Sequence, residues 1–598
     1  MSAARQLLPA GADFRAMTRS PRRDLLAGLT VAIVALPLAL GFGVASGLGA
    51  EAGLVTAIVA GALAAVFGGS NLQVSGPTGA MTVVLLPIVA QHGPGGVLTV
   101  GLLAGLMLLA LALLRAGRVM RYVPLPVVEG FTIGIALVIA LQQVPGALGV
   151  PVPEGERVVA VAWRAVADFA GSPDWTAPGI ALGVAVLMLA GGRLRPGVPF
   201  SVLAVAAAAL LVELTPLDAA PIGDLPAGLP APSLEFLELS AVGSLLAPAV
   251  AVAALAALES LLSATVADGM TTGQRHDPDR ELFGQGVANL AAPLFGGVPA
   301  TAAIARTAVN VRSGASSRLA ALSHAVFLAV VVLAAAPLVS RIPLAALAGV
   351  LLATAVRMAE LHTARLLARA SKPDGAVLVL TCAATLALDL VQAVLIGIAV
   401  SGVLALRAVA RQASIERVPA APRAGNAPAE GDRSSVESVE HIAVYRLRGP
   451  LFFAAGDGFL RELAEVPRAR VVIVRMSAVT VVDTTGATVF AGALRELRER
   501  GVTVLVSGVR EEQRPVLEAL GVLEEVRAAG GEFATAEFAW AAAAKLLRDE
   551  PVPPQPRNEQ EAAVPAVPAV PAVPGADGAD GADGAAERAE AVRGGELR

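Results

Sequence analysis

The chain has 598 residues, of which 55% are hydrophobic and only 16% are charged, with a formal net charge of -4. Soluble domains carry about 25% charged residues, so a mean hydropathy of +0.69 excludes an ordinary soluble protein and indicates a membrane protein. The single cysteine, Cys382, excludes a disulfide framework and a cysteine metal site, and we interpret it as a packing residue. We expect no enzyme, no cofactor and no nucleic-acid partner.

Apolar runs of membrane-spanning length follow one another between residues 24 and 411, which we assign as the transmembrane domain. Residues 1–23 precede them as a cytoplasmic N-terminus. The pattern predicts about 14 segments, about seven in each half of the domain. The runs lie near 25–47, 52–70, 97–115, 123–147, 177–192, 198–215, 241–267, 318–338, 342–357, 374–390 and 391–408, with shorter candidates near 74–91, 281–297 and 300–314.

The distribution of basic residues predicts the orientation. Basic residues cluster after the even-numbered segments, at 115–121, 193–195, 275–280, 312–318 and 357–372. The loop 213–240 instead carries five acidic residues and no basic one. Because basic loops stay on the cytoplasmic side, we expect both termini in the cytoplasm. The expected location of the protein is the inner (plasma) membrane. Arg157, Arg164 and Arg341 are exceptions to this pattern.

The chain changes character after residue 411. Residues 412–436 form a polar linker rich in proline and alanine, and residues 437–546 show alternating strand and helix patterns typical of a small α/β domain. The predicted strands are 441–447, 471–474 and 502–506, and the predicted helices lie near 457–465, 486–500 and 511–520. The repetitive tail, 547–598, cannot bury a core and is predicted to be disordered.

The membrane part contains an internal repeat. With a shift of 222 residues, Val44–Gly47 aligns with Val266–Gly269, and Pro77 aligns with Pro299. Each proline interrupts an apolar segment at a matching place in its half. Broken segments at matching positions of two repeats are typical of secondary transporters, whose substrate site lies where the breaks meet near the bilayer midplane.

Arg306 is an isolated charge in the second break. A central intramembrane arginine costs at least about 2.5 kcal/mol, so it requires a compensating partner. A fixed ion pair or a side chain reaching the membrane surface would satisfy it. The alternative is an anion site, in which the guanidinium acts together with two helix N-termini. The predicted substrate-binding residues are Gln73, Gly76, Pro77, Thr78, Thr301, Ala305, Arg306 and Thr307.

Glu259 is the expected partner of Arg306, because it lies deep in an apolar run with no other charge nearby. A carboxylate that pairs with Arg306 in the empty site can take up a proton when an anion displaces it. Alternatively, Glu259 and Ser263 bind Na⁺, or Glu259 forms a static pair that only orders the core. An uncoupled anion channel or exchanger would keep the anion site without this coupling role.

The segments 24–37, 74–78 and the Arg306 region together resemble the SulP family of anion transporters. The resemblance covers roughly 22–546, and the soluble part is similar to a STAS domain. It implies an α-helical polytopic fold of two inverted seven-segment repeats, in which a core domain moves against a gate domain. It also implies a homodimer.

Residues 35–47 and 281–289 are similar to the cyanobacterial bicarbonate transporters within that family. Those couple to Na⁺ through an aspartate and a threonine, which would correspond to Glu259 and Ser263. Arg306 instead matches the arginine of the sulfate, chloride and dicarboxylate carriers. We therefore expect transport of a sulfate-like, bicarbonate or dicarboxylate anion with H⁺ coupling, and Na⁺-dependent bicarbonate symport as the alternative.

The STAS-like part contains Asp483, Thr484 and Thr485 at the start of a helix. The similar motif of soluble anti-sigma antagonists is a phosphorylation switch, which makes Thr484 and Thr485 candidate phosphorylation sites. Capping of the helix by Asp483 or Thr484 is the simpler interpretation.

Overall fold

The computed structural model describes residues 6–118, 123–153, 157–195, 198–223, 225, 228–388, 390–418, 441–453 and 469–549. These residues divide into two compact units, which separate after Arg411. The first unit is helical, and the second is an α/β domain.

The first half of the helical unit begins with a short helix and continues with long apolar ones. Its helices are α1 Gly11–Met17, α2 Pro21–Ala45, α3 Ala50–Phe67, α4 Gly79–Leu113, α5 Leu125–Gln142, α6 Val144–Leu148, α7 Val158–Gly171, α8 Thr176–Leu194 and α9 Phe200–Leu214. The two-residue strand β1, Ser75–Gly76, lies between α3 and α4. Gly93, at φ 67°, separates two arms of α4, which correspond to two predicted segments.

The second half repeats this order. Its helices are α10 Val242–Gly269, α11 Pro278–Ala291, α12 Ile304–Arg312, α13 Arg318–Val339, α14 Leu344–Met358, α15 Leu361–Ala370, α16 Lys372–Ala387 and α17 Leu390–Ala410. The strand β2, Thr301–Ala302, precedes α12 just as β1 precedes α4. The repeat predicted from the aligned prolines is therefore also a repeat of structure.

The helices pack in two groups, and each group takes helices from both halves. One contains α2, α3, α4, α10, α11, α12 and α13, whereas the other contains α5, α8, α9, α14, α16 and α17. This arrangement agrees with the expected division into a core domain and a gate domain. Glycines permit the closest approaches, and a Cβ at Gly53 on α3 would collide with the backbone of α2 at Ala39 and Gly43.

Nine helices of the described residues are long and apolar enough to cross a membrane. Several remaining predicted segments correspond to shorter helices, such as α11 and α12, so the count of about 14 stays a prediction. Two short amphipathic helices, α7 and α15, are not among the predicted segments. Each is shorter than a membrane span and is interrupted by charged residues, so neither stands out as a long apolar run.

Arg318 was expected in a basic loop, but it is the first residue of α13 and is buried. Its side chain is only 2% exposed, and Nη1 donates hydrogen bonds to the carbonyl oxygens of Ala65 (3.1 Å) and Gly68 (2.6 Å). Arg318 thus satisfies carbonyl groups at the C-terminal end of α3, which have no partner within the helix.

The α/β unit is built on a five-stranded sheet in the order β3-β4-β5-β6-β7. β3 pairs antiparallel with β4, and the other neighbouring strands are parallel. The strands are β3 Ser414–Val418, β4 Ile442–Leu451, β5 Val471–Val482, β6 Thr503–Ser507 and β7 Glu532–Phe533. The helices are α18 Thr484–Glu499, α19 Arg514–Ala519, α20 Val522–Ala528 and α21 Ala536–Asp549.

Two predicted boundaries of this unit are wrong. Residues 414–418, assigned to the linker, form the edge strand β3, whose mostly exposed side chains give it a polar sequence that resembles a linker. The helix α21 extends to Asp549, past the predicted start of the tail at 547. The predicted helix at 457–465, the linker residues 419–436 and the tail beyond 549 lie outside the described residues.

Candidate functional site

The two broken segments meet in the structure. β1 and β2 pair antiparallel, with Ser75 opposite Ala302 and Gly76 opposite Thr301. The amide of Ala303 also donates to the carbonyl oxygen of Val74 at 3.0 Å. Non-helical backbone at membrane depth must satisfy its polar groups within the protein, and this small sheet satisfies several of them mutually. The pairing fixes the starts of α4 and α12 next to each other.

Side chains from neighbouring helices hold the second break in place. The hydroxyls of Ser260 and Thr301 are 3.0 Å apart, and the amide of Ala302 donates to Ser260 Oγ at 3.2 Å. Asn289 on α11 binds both the amide (2.8 Å) and the carbonyl oxygen (2.9 Å) of Ala300. Thr301, predicted to bind substrate, is fully buried and acts here as part of this support.

Thr307 and Ser263 form a second support. Ser263 Oγ donates to Thr307 Oγ1 at 2.9 Å, and Thr307 Oγ1 also accepts the amide of Val74 at 3.1 Å. Thr307 thereby ties α12 to the first break. Ser263 was expected beside Glu259, but in the structure its hydroxyl is engaged with Thr307 instead.

Arg306 is the central charge of the site. Its side chain is 1% exposed, and Nη2 donates to the carbonyl oxygen of Pro77 at 2.7 Å. Nε and Nη1 have no hydrogen-bond partner among the described residues. Because burying unpaired donors of a charged group is costly, these two nitrogens are the donors best placed to bind an acceptor.

Gly76 and Gln73 lie in the first break. Gly76 has φ 154°, and a Cβ at this position would lie 2.7 Å from Arg306 Nη1. The absence of a side chain at Gly76 therefore leaves the space that the guanidinium occupies. Gln73 is 5% exposed, and neither atom of its amide group has a partner in the described part of the chain. Its donor and acceptor are available to a ligand.

Glu259 lies close to Arg306 but does not contact it. Its Oε2 accepts a hydrogen bond from Thr78 Oγ1 at 2.9 Å, and the two opposite charges attract each other from nearby. The expected direct pair is wrong, since the described residues contain no salt bridge between them. The reason is that the guanidinium binds the carbonyl of Pro77 while the carboxylate binds the side chain of Thr78, the next residue.

Two helix N-termini begin at this point. Thr78 is the N-cap of α4, and its contact with the amide of Met81 is long at 3.4 Å. Helix α12 begins at Ile304, a few residues later than expected from Pro299, and no side chain caps it. Arg306 is thus in its first turn, and Ala305 beside it is exposed. The amides of both first turns can bind an anion, as free helix N-termini do.

The start of α18 in the α/β unit is capped. Asp483 Oδ1 accepts the amide of Gly486 at 2.7 Å, as the capping interpretation required. Thr484 and Thr485 are exposed in the first helical turn, so their phosphorylation stays a prediction.

Several residues that build the site do not stand out in the sequence. Asn289 and Gln285 lie four residues apart and therefore on one face of α11, and Gln285 donates to Ser75 Oγ at 2.7 Å. Thr56 donates to the carbonyl oxygen of Val298 at 2.9 Å. The available signal was an amide or hydroxyl side chain in an otherwise apolar segment, which marks internal hydrogen bonding in membrane helices.

Residues 22–381 match the sulfate permease family, and residues 433–536 match the STAS domain. The chain belongs to the sulfate permease (SulP) family. Several bacterial relatives resemble this chain over nearly their whole length. The putative sulfate transporter YvdB of Bacillus subtilis is 33% identical over 512 residues, which cover 84% of this chain and 94% of that protein.

The bicarbonate transporter BicA of Picosynechococcus sp. is 30% identical over 530 residues, covering 85% of this chain and 92% of BicA. The solved transmembrane domain of a cyanobacterial BicA is 32% identical, with a TM-score of 0.58, and covers 64% of this chain and 98% of that one. Murine Solute Carrier 26 family member A9, in its inward-facing state, shares the fold with a TM-score of 0.76 at 18% identity, covering 91% and 95% of the two chains. The SulP fold is therefore shown for both units.

We predict that Gly76→Ala weakens anion binding about 10- to 100-fold, because the new methyl group displaces Arg306 Nη1 and removes one charged hydrogen bond. The measurement is stabilisation of the purified protein against heat by added anion. Gly269→Ala is the control, since nothing lies within 4 Å of a Cβ there. A Gly76→Ala protein that binds the anion as tightly as the unmodified protein would contradict the assigned position of the site.

Proposed function

We propose that this SulP protein is a secondary active transporter of a sulfate-like, bicarbonate or small dicarboxylate anion. The observation that carries the proposal is the pair of unpaired nitrogens, Nε and Nη1, on the buried Arg306. A permanent cation with free donors, placed at two helix N-termini, favours an anion over a cation or a neutral sugar. The relatives named as sulfate and bicarbonate transporters support an oxyanion.

Oxyanions suit the available groups because each presents several oxygen acceptors. One oxygen can accept from Arg306, while others accept from the first-turn amides of α4 and α12 or from the amide group of Gln73. The proposed ligands are thus Arg306, Gln73 and the backbone around Gly76–Thr78 and Ala305. Thr301 and Thr307 are now proposed as supports of the site.

Arg306→Ala is expected to abolish anion binding and to leave a folded protein, because Arg306 supplies two or more charged hydrogen bonds to the ligand. Each contributes about 1.5–3 kcal/mol, so the affinity should fall by more than about 100-fold. The affinity is measured as thermal stabilisation of the purified protein by sulfate, bicarbonate and succinate. Arg341→Ala is the control, since that arginine is exposed and pairs with Glu213. Retained affinity in Arg306→Ala would refute the anion site.

We further propose that Glu259 couples transport to H⁺. Glu259 is half-buried and lies near Arg306 without forming a salt bridge to it. An anion bound to Arg306 adds a negative charge close to Glu259 and uses the cation that stabilised its ionised form. Proton uptake then neutralises the carboxylate, because like charges in a poorly solvated site disfavour ionisation. Anion and proton would move together by local electrostatics.

Na⁺ coupling is the alternative, with Glu259 and Ser263 as ligands. A sodium site needs several oxygen atoms free to point at the ion. Ser263 Oγ donates its proton to Thr307, which leaves its lone pairs free for an ion. Proton uptake needs only the carboxylate of Glu259, whereas a sodium site needs further oxygen ligands, and this difference favours the proton. Transport without any coupling ion would reduce the protein to an anion channel or exchanger.

Glu259→Gln, which resembles the protonated state, is expected to bind and exchange the anion but not to concentrate it. The assay is uptake of a radiolabelled anion into proteoliposomes, first with equal anion on both sides and then under an imposed pH gradient. Glu213→Gln is the control, because Glu213 is exposed and pairs with Arg341 on the protein surface. If the unmodified protein accumulates the anion only with Na⁺ and does not respond to a pH gradient, H⁺ coupling is contradicted. If its uptake responds to neither a pH gradient nor a Na⁺ gradient, the result favours the channel.

The location and assembly of this multi-pass membrane protein are also proposals. We place it in the inner (plasma) membrane with both termini in the cytoplasm, because of the basic loops after even-numbered segments. A homodimer, which the family resemblance implied, stays a prediction.

Orientation can be tested with single cysteines after Cys382 is replaced by alanine. A cysteine in 268–280 should resist membrane-impermeant thiol reagents added outside, because that segment lies in a basic and therefore cytoplasmic loop. A cysteine in 219–238 should react and serves as the positive control. Equal labelling at both places would overturn the proposed topology.

A further inference from the structure

Helix α15, Leu361–Ala370, connects the apolar helices α14 and α16. One face packs into the protein, where Ala364 is buried and Leu367 partly buried against Ile133 of α5 and Leu378 of α16. The rest of the helix faces outward, and Leu361 and Leu366 are 52% and 54% exposed. A short helix between two apolar helices, with leucines exposed on its free side, is suited to the membrane surface.

The outward face of α15 is basic. His362, Arg365 and Arg369 follow the spacing i, i+3, i+7, which places them on one side of a helix. All three are exposed. Arg357 and Lys372, one on each neighbouring helix, add two exposed positive charges close by in sequence.

The acidic residues near α15 are Glu360, Asp374 and, on α5, the half-buried Glu129, which lies close to Glu360. Glu360 is the N-cap of α15 and accepts a hydrogen bond from Thr363 at 3.1 Å, and Asp374 is in the first turn of α16. Both positions are favourable for a carboxylate because of the helix dipole. Within the described part of the chain, neither Arg365 nor Arg369 has an ion-pair or hydrogen-bond partner.

Helix α7 occupies the equivalent place in the first half and has a different surface. It follows the predicted fifth segment, as α15 follows the predicted twelfth, so an inverted repeat puts the two helices at opposite membrane surfaces. Its exposed side carries Trp163, which is 73% exposed, and its two charges, Arg164 and Asp168, are of opposite sign. The basic face is therefore specific to α15 and is not a consequence of the repeat.

We propose that α15 binds anionic phospholipid headgroups of one leaflet, through Arg365 and Arg369 with Leu361 and Leu366 in the acyl boundary. The occupant is a lipid and not a soluble phosphate, because the exposed leucines flank the arginines and would otherwise meet water. Basic side chains at a membrane surface attract anionic lipids, and each contributes separately. This proposal does not depend on the transported anion or on coupling.

The test is native mass spectrometry of the full-length protein released from micelles that contain equal amounts of phosphatidylglycerol and phosphatidylcholine. We expect the unmodified protein to retain phosphatidylglycerol preferentially. The double variant R365Q/R369Q should lose about 30-fold of this preference, from two surface arginines. The matched control R157Q/R341Q replaces two exposed arginines expected at the opposite surface and should keep it.

Two results would overturn the proposal. One is equal retention of both lipids by the unmodified protein, and the other is an unchanged preference in R365Q/R369Q that elutes as a folded protein in size-exclusion chromatography. A third arm adds excess glycerol phosphate. Displacement of the lipid by this soluble headgroup would show a phosphate site and contradict a lipid surface, whereas continued retention of the lipid supports it.

Discussion

The candidate site depends on a positive charge, that of Arg306, which is buried where the two halves of the membrane unit meet. An arginine at membrane depth costs at least about 2.5 kcal/mol, and Arg306 recovers part of this through one carbonyl oxygen, that of Pro77. That carbonyl is free because Gly76 and Thr301 pair in a two-residue sheet and not within a helix. The charge can therefore be buried only because each half contains a break. The unpaired nitrogens Nε and Nη1 are the reason to assign a ligand.

A network of neutral side chains keeps this arrangement rigid. Ser260, Asn289 and Thr307 accept hydrogen bonds from backbone amides of the breaks. Leaving these amides unpaired in an apolar environment would be costly. None of these three side chains is charged, so the network stabilises the backbone without competing for the anion. The charged residues Arg306 and Glu259 are left with contacts that a ligand can supplement or replace.

The sequence sufficed for the large features, because they follow from local patterns. Proline and glycine in apolar runs predicted the breaks, and isolated charges predicted Arg306 and Glu259 as the residues of interest. It did not suffice for partners, since hydroxyls on separate helices can bind several neighbours and only the packing selects one. Ser263 was thus assigned to Glu259 but binds Thr307. The edge strand β3 was missed because an exposed strand has the composition of a linker.

Thr78 connects the two functions proposed for the site. Its hydroxyl donates to Glu259, and the same oxygen is positioned to accept from the amide of Met81 at the start of α4. An ionised Glu259 holds the proton of this hydroxyl, which directs the oxygen lone pairs towards the helix. A protonated Glu259 can itself donate, and the hydroxyl is then free to turn its own proton towards a bound anion. The protonation of Glu259 would in this way add one donor to the anion site, so that proton and anion favour each other's binding through a single side chain. By linkage, the anion must raise the affinity for the proton by the same factor.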